Sequence, residues 1–589
     1  MNRNWGNLHP MSKAVYEQTY FLPDENYEGW LARISKTYQN DEAHGLRIKS
    51  YIKNRWFHPS TPISSNGGTD RGLPISCMVQ HVGDSRKEIF ASWYEAAWVG
   101  SEGTGLGRYW GDVRAINEPV GKDRGNSSGV IPFMGVDEAI SKSVSQGGIR
   151  RMSIADYLPV WHPEILEFLD IRSPIGDRSR RAPELHHGVV IDDVFMNAVI
   201  NDSTYDLRSP KTNQTIQSVS ARDLWVKLMS NRSMVSGEPY LLFIDTVNAQ
   251  RPQEYVLNNM KVVTSQLCSE ISLYTAPDYT AVCCLASVND EYWDEWKVDE
   301  KFLPDCVDFL DNVLTDFINR TEHMEGFENS RRSAINERSV ALGQMGWHSL
   351  LQSKLIPWES PMAKGLNIQI AKHIREAVDA HQATLSKDSL CPLSKKSGTH
   401  RRNVHTLGIA PTMSISTLCN LTSSGIEPNL TNAYTKKVKQ GSFAVTNKYL
   451  AKVIIANSTH YSGCTNPDPD AWITEQWASI KKNNGSVQHL DWMTQDIKDV
   501  FKTAFEIDQR WVVEFAGDRQ EFIDQAQSVN LFVPGGSSAQ YISDLHILAW
   551  KSKLKSLYYL RSTAINRAST ASNERKTIDI QPDECLSCT

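Results

Sequence analysis

The sequence predicts an α/β protein. Three observations carry that reading. Short apolar runs with strand character alternate with helical stretches from about residue 57 to about residue 560. The composition is that of an ordinary globular chain, 40% hydrophobic and 22% charged. There is no fixed-period repeat and no low-complexity tract. Periodicity alone leaves a closed barrel and an open sheet equally possible. Composition also excludes some classes. The net charge of -6 lacks the basic excess of a protein built mainly to hold nucleic acid. No apolar run reaches the roughly 18 residues that a membrane span needs. The opening MNRNWGNLHP has no apolar core of a signal peptide, so a cytoplasmic location is expected.

Taken in order, the first fifty or so residues read as helical: EQTYFLPDENYEGWLARISKTY has irregular helical spacing, and a second stretch runs to about Trp56. HPSTPISSNGGTDRGLP reads as turns, because it holds Pro59, Pro62, Gly67, Gly68 and Gly72. PISCMVQHV reads as a short buried strand, and a helix is expected from about Arg86 to Val99, before GSEGTGLG. Strand and helix signals continue to LKSLYYLRS near Leu560. From about Ile565 the chain is polar and without apolar period, which predicts a mobile tail. That tail ends in a C-x-x-C pair, Cys585 and Cys588. A frayed terminus is the plain reading; a tethered dithiol that shuttles electrons is the functional one.

The ten cysteines are spread along the chain rather than packed as in a small disulfide scaffold. The densest chemistry lies in VVTSQLCSEISLYTAPDYTAVCCLASVN. Gln266, Cys268 and Glu270 are spaced by two. In an extended segment they share one side, with Leu267, Ser269 and Ile271 on the other. A thiol, a carboxylate and an amide on one face supply a sulfur reactant, a proton acceptor and an orienting hydrogen bond. A half-buried strand with a polar outer face is the alternative. AVCCLAS is a second candidate strand. Its neighbours Cys283 and Cys284 face opposite sides, so at most one joins a shared site. Cys77 is a third strand cysteine. A structural zinc site is not expected, because the only C-x-x-C is terminal and no H-x-x-x-H exists.

SQLCSEI followed by AVCCLASVN resembles the active-site region of the large, catalytic subunit of ribonucleotide reductase. TPISSNGGTDRGLPISC, GDSRKEIF through GLGRYWGDVRAIN, SQGGIRRMSIADYLPVWHPEILEFLDIR, RSVALGQMGWHSLLQ, APTMSISTLCNLTSSGIEPN, FIDQAQSVNLF and LKSLYYLRS are similar to the family in the same order, and ECLSCT fits its tail. The likeness runs from about Trp56 to Arg561. It implies a ten-stranded α/β barrel with a central finger loop carrying Cys268. The implied division is a helical region at 1–55 without the family's N-terminal ATP cone, a barrel at 56–563 and a redox tail at 564–589.

The resemblance also implies roles. Cys268 matches the cysteine whose thiyl radical abstracts the 3′-hydrogen of a ribonucleotide, and Glu270 the carboxylate that handles the 3′-hydroxyl proton. Cys77 and Cys283 match the pair that reduces the ribose and becomes a disulfide; Cys284 is then structural. Gln266 stands where the family usually has Asn, one methylene longer. The turn Pro411, Thr412, Met413, Ser414, Ile415 and Ser416 is similar to the diphosphate-binding turn, with Thr61 and Ser76 as further substrate contacts; a helix cap is the plain reading of these hydroxyls. Asp84, Ser85 and Arg114 match positions that bind a nucleoside triphosphate effector, ATP or a deoxynucleotide. The loop at about 146–153, with Gly148, Arg150 and Arg151, resembles the one that couples effector to substrate choice. Tyr558 and Tyr559 look like the class I pair that relays a radical from a separate small subunit. As neighbours on a strand they are expected on opposite sides, Tyr558 toward Cys268 and Tyr559 toward the partner. Cys585 and Cys588 match the shuttle recharged by thioredoxin or glutaredoxin. The implied assembly is a homodimer with a radical-generating small subunit, and no cofactor or metal is expected in this chain. Two alternatives stay open: the cobalamin-dependent class on the same barrel, and an inactive nucleotide-binding regulator.

Overall fold

The computed structural model describes residues 5–121, 125–146, 150–438, 441–465 and 468–563, with their side chains except at 388, 437, 438 and 459–465. Gly148, Cys585 and Cys588 lie outside the described residues.

Five strands lie side by side in parallel: β1 (Cys77–His81), β2 (Gly105–Tyr109), β3 (Ile154–Pro159), β4 (His186–Ile191) and β5 (Tyr240–Phe243). A second set opposes them. β6 (Ala281–Cys283) is antiparallel to β1 and continues past Cys284 into β7 (Leu285–Asn289), which pairs in parallel with β8 (Ala341–Met345). Parallel bridges Leu342–Leu407 and Ile409–Gln527 carry the ladder onward. It ends in β9 (Leu531–Val533), β10 (Ser556–Leu557) and β11 (Leu560–Ser562), where β9 is parallel to β11 and β10 is antiparallel to β5. The second set thus holds five segments, 281–289, 341–345, 406–410, 525–533 and 556–562, and meets the first at both edges. This is the ten-stranded α/β barrel that the resemblance implies.

The strands are buried on both faces, so they read as continuous apolar runs rather than as alternating ones. Alternation still decides which side each residue serves. In β3, Ala155 and Tyr157 face the interior cluster while Ile154 and Leu158 join the larger outer core. In the same way Cys283 faces inward and Cys284 outward, its thiol donating to Leu310 O at 3.5 Å.

Helices cover the outside. Ser85 accepts from the Glu88 amide at 3.1 Å and starts the helix Arg86–Ser101, two residues longer than the sequence reading. The helical start is also as read: Pro10–Val15, Tyr27–Thr37 and Glu42–Lys53. Arg47 fastens the last of these to Asp305 at 2.7 Å, on the helix Phe302–Arg320. The segment read as turns differs. Phe57–Pro59 forms a strand antiparallel to β7, and Thr61–Asn66 is helical. Pro62 in the first turn lacks only an amide that the helix does not use, so this proline favours the helix start. Among the described residues no helix is long and apolar enough to cross a membrane.

Candidate active site

The finger loop enters the barrel between β5 and β6. It reaches the wall at Gly107, where a Cβ would stand 2.2 Å from Ser265 O and 2.5 Å from Gln266 Cα, so only glycine admits the loop there. The tip is not the extended segment expected from the spacing. Ser269 N bonds back to Gln266 O at 3.2 Å and Ser269 has φ +66°, so residues 266–269 form a tight turn. The physical reason is the lack of a neighbouring strand at the tip. The buried backbone groups find side-chain partners instead. Gln266 Oε1 accepts from Cys268 N at 2.7 Å. Tyr157 donates to Gln266 O at 2.8 Å and lies 2.9 Å from Ser269 Oγ. Ser528 donates to Cys268 O at 2.6 Å.

The turn still brings the expected groups together. Cys268 is buried in the interior cluster with Leu267 and Ile271. Glu270 is fully buried, and Ser528 donates to its Oε2 at 3.1 Å. Burial pushes the Glu270 carboxyl up to about 7, against the opposing pull of its own backbone amide, Gln266 and Ser528. The Gln266 Nε2 is a buried donor close enough to Glu270 to favour its ionised form but without a well-formed hydrogen bond. Cys77 and Cys283 stand directly opposite each other in the β1–β6 ladder, both buried and both free thiols. Burial raises the Cys283 thiol well above its ordinary range; the charges of Glu270 and Cys77 add to this and Arg150 opposes it. Cys77, Cys268, Cys283 and Glu270 therefore share one enclosed space, where the Cys283 thiol stays protonated and the Glu270 carboxyl is poised to gain or lose a proton near neutrality.

The other expected positions divide. Ser76 Oγ is buried without a partner, and Arg150 donates to Ser76 O at 3.3 Å. Arg150 is buried and Arg151 exposed, so of the two only Arg150 reaches the cysteine side. Thr61 Oγ1 lies 3.0 Å from Tyr20 OH. Thr412 has φ +59° and accepts from Gly425 N at 2.7 Å, directly before the short helix Met413–Leu418. Ser416 donates to Met413 O at 3.0 Å and meets Ser424 Oγ at 3.0 Å. Pro411 is buried and Ile415 packs with Met345 and Cys419, while Met413 and Ser414 are half-buried. Asp84, Ser85 and Arg114 come together at the end of β1. Arg114 grips Asp84 through Nε at 2.9 Å and Nη2 at 2.6 Å, and Ser85 is the cap of the helix that follows.

Tyr558 and Tyr559 overturn the expectation of opposite faces. Both rings lie in the interior cluster, with centroids 4.4 Å apart. The strand is interrupted between β10 and β11: Tyr558 N bonds to Val529 O, while Tyr559 N turns to the Asn530 side chain at 2.9 Å. That break in the ladder removes the alternation. Four site residues escaped the sequence reading: Gly107, Tyr157, Ser528 and Tyr240. Tyr157 had a signal, its inward position in an alternating strand. Ser528 had none, because its partners are 258 and 260 residues away.

A family model for the barrel domain of ribonucleotide reductase matches residues 75–389 and 380–560. A Frog virus 3 (isolate Goorha) protein named as a ribonucleoside-diphosphate reductase large subunit is 38% identical, over 92% of each chain. The ribonucleoside-diphosphate reductase large subunit of Invertebrate iridescent virus 3 is 33% identical over 93% of this chain and 92% of its own. Among solved structures, the class Id ribonucleotide reductase alpha subunit of Actinobacillus ureae superposes with a TM-score of 0.83 at 31% identity, covering 97% of this chain and all of its own.

Proposed function

From the premise that this chain belongs to the ribonucleotide reductase large-subunit family, we propose a class I catalytic subunit in which Cys268 is the radical cysteine and Cys77 with Cys283 is the reducing pair. The enzyme is a ribonucleotide reductase, and a large subunit implies a small-subunit partner. The substrates are ribonucleoside diphosphates. The thiyl radical of Cys268 takes the 3′-hydrogen, and Glu270 takes the proton of the 3′-hydroxyl. The 2′-hydroxyl then leaves as water. Cys77 and Cys283 supply the two electrons and two protons of the reduction and end as a disulfide. The 3′-hydrogen returns from Cys268, which restores the radical. The observation that carries this reading is the facing of Cys77 and Cys283 across β1 and β6, beside the buried Glu270 and the finger cysteine. Enclosure suits the chemistry, because a sulfur radical must be kept from water and stray reductants.

The remaining roles follow. The unsatisfied Gln266 amide and Ser76 hydroxyl are free to bind the ribose hydroxyls, and each gains a partner only when substrate arrives. The turn at 411–416 and Thr61 hold the diphosphate end. Asp84, Ser85 and Arg114 bind the nucleoside triphosphate effector at a homodimer interface, and the loop with Gly148, Arg150 and Arg151 couples it to substrate choice. Tyr558 and Tyr559 relay the radical from the small-subunit cofactor. Cys585 and Cys588 reduce the Cys77–Cys283 disulfide and are recharged by thioredoxin or glutaredoxin. The functional divisions are 1–55, 56–563 and 564–589, and the enzyme works in the cytoplasm.

A single round of reduction without external reductant tests the reading, in a chain carrying Cys585→Ser and Cys588→Ser so that the tail cannot take over the disulfide. The chain, with its small subunit and effector, should form product and lose the thiols of Cys77 and Cys283 to one disulfide, seen by peptide mass analysis. Cys268→Ser should form none. Product without that disulfide, or from Cys268→Ser, would overturn it.

A further inference from the structure

Beside the tyrosine pair lies a buried charge assembly that the reduction chemistry does not use. Glu238 is wholly buried in the segment leading into β5. Arg172 donates to its Oε1. His186 Nδ1, at the start of β4, lies 2.8 Å from the same oxygen. His187 donates its backbone amide to Oε2 at 3.1 Å and places Nδ1 3.2 Å from it. Strand alternation splits the two histidines. His187 packs outward on Phe168 with centroids 5.3 Å apart, while His186 turns inward toward Tyr240 and Tyr559. Burial raises the Glu238 carboxyl, but Arg172, His186 and His187 outweigh it and hold it well below its usual range, so it is a carboxylate.

A carboxylate oxygen and a ring nitrogen do not face each other at 2.8 Å without a proton between them. The ionised Glu238 therefore fixes the His186 proton on Nδ1. That same Nδ1 lies 3.2 Å from Tyr240 OH and 3.4 Å from Tyr559 OH. Tyr240 OH in turn donates to Tyr559 OH at 2.8 Å. Tyr240 is fully buried and touches both members of the pair, with centroids 4.6 Å from Tyr558 and 5.1 Å from Tyr559. The His186 proton is aimed at Glu238, so Nδ1 offers no lone pair to Tyr240, and the Tyr240 proton goes to the oxygen of Tyr559.

We propose that Glu238 and His186 are positioning residues of the radical relay: by keeping the His186 proton on Nδ1 and aimed at Glu238, they leave the Tyr240 hydroxyl to donate to Tyr559, which fixes the Tyr559 oxygen and holds its ring against Tyr558. This rests on the reading of Tyr558 and Tyr559 as a relay. Transfer between two rings depends steeply on their placement, and a phenol free to rotate would leave the 4.4 Å contact. A purely structural role for the assembly would require only that Glu238 be neutralised, which Arg172 already does. It would not require His186 to face two phenols.

The test uses the full chain with its small subunit, effector and substrate. Tyr240→Phe and His186→Leu should each lower kcat about tenfold with the ribonucleotide KM unchanged, the effect of losing one hydrogen bond. His186→Asn, which keeps an N–H donor to Glu238, should recover most of that loss. With 3-aminotyrosine in place of Tyr559, the trapped radical should show an exchangeable deuteron from the Tyr240 hydroxyl in D2O, and that coupling should vanish in Tyr240→Phe and weaken in His186→Leu. If His186→Leu does not fold, the same comparison in Glu238→Gln carries the measurement. Unchanged kcat and unchanged deuteron coupling in these variants, with Tyr559→Phe inactive, would overturn the positioning role alone. An active Tyr559→Phe would overturn the relay reading beneath it.

Discussion

Replacing Ser528 by alanine should move the acid limb of the pH profile by an amount that the geometry sets. Ser528 donates to Glu270 Oε2 at 3.1 Å and favours the ionised form of a carboxyl that burial pushes up to about 7. A hydrogen bond to a charged group contributes roughly 1.5–3 kcal/mol, and one pKa unit corresponds to about 1.4 kcal/mol. Losing the bond should therefore raise Glu270 by about one unit or somewhat more. The sign follows from the role. Glu270 must be a carboxylate to take the 3′-hydroxyl proton, so kcat/KM rises as pH passes through its pKa. At pH 7 the ionised fraction should fall from about one-half to about one-tenth, a loss of about fivefold in kcat/KM. At pH 9 the two enzymes should agree within about twofold. Ser528→Thr keeps the hydroxyl and should leave the limb in place. The assay is the initial rate of deoxynucleotide formation at subsaturating substrate from pH 6 to pH 9. An unmoved limb would refute Glu270 as the proton acceptor tuned by Ser528, and any uniform loss that accompanied it would come from the bond to Cys268 O.

Three further substitutions probe other parts of the account. Gly107→Ala puts a methyl 2.2 Å from Ser265 O and should displace the finger loop, with a turnover loss of about 100-fold and effector binding intact by equilibrium dialysis. Tyr157→Phe removes the bonds to Gln266 O and Ser269 Oγ and should lower kcat about tenfold without changing the substrate KM, read by steady-state kinetics. Arg114→Ala leaves Asp84 without its bidentate partner and should weaken nucleoside triphosphate binding at least about tenfold by calorimetry.

The parts of the fold visible in the sequence are those set by local rules. The apolar run Cys77–His81 and the Ser85-capped helix Arg86–Ser101 carry their own signals of period and capping. What local rules do not carry was read wrongly or only by resemblance. The spacing Gln266, Cys268, Glu270 suggests a strand, but a strand needs a neighbour, and inside the barrel the tip has none. Tyr558 and Tyr559 should alternate, but Asn530 takes the amide that would continue the ladder. The facing of Cys77 with Cys283 is a register across distant strands, which no local pattern encodes. Ser528 serves the backbone of a loop far away in the chain and its surroundings in sequence hold no trace of it, while Tyr157 shows there only its inward position in a strand.

The central claim is that this barrel reduces ribonucleotides with a radical delivered through Tyr559 and Tyr558 to Cys268. Its most direct test is deoxynucleotide formation by the purified chain with ribonucleoside diphosphates, effector and dithiothreitol, in two arms. One arm adds the small subunit from the same source; the other adds adenosylcobalamin alone. The account predicts product only in the first arm, and its loss in Tyr558→Phe. Product with adenosylcobalamin alone, or in neither arm while effector still binds, would contradict it.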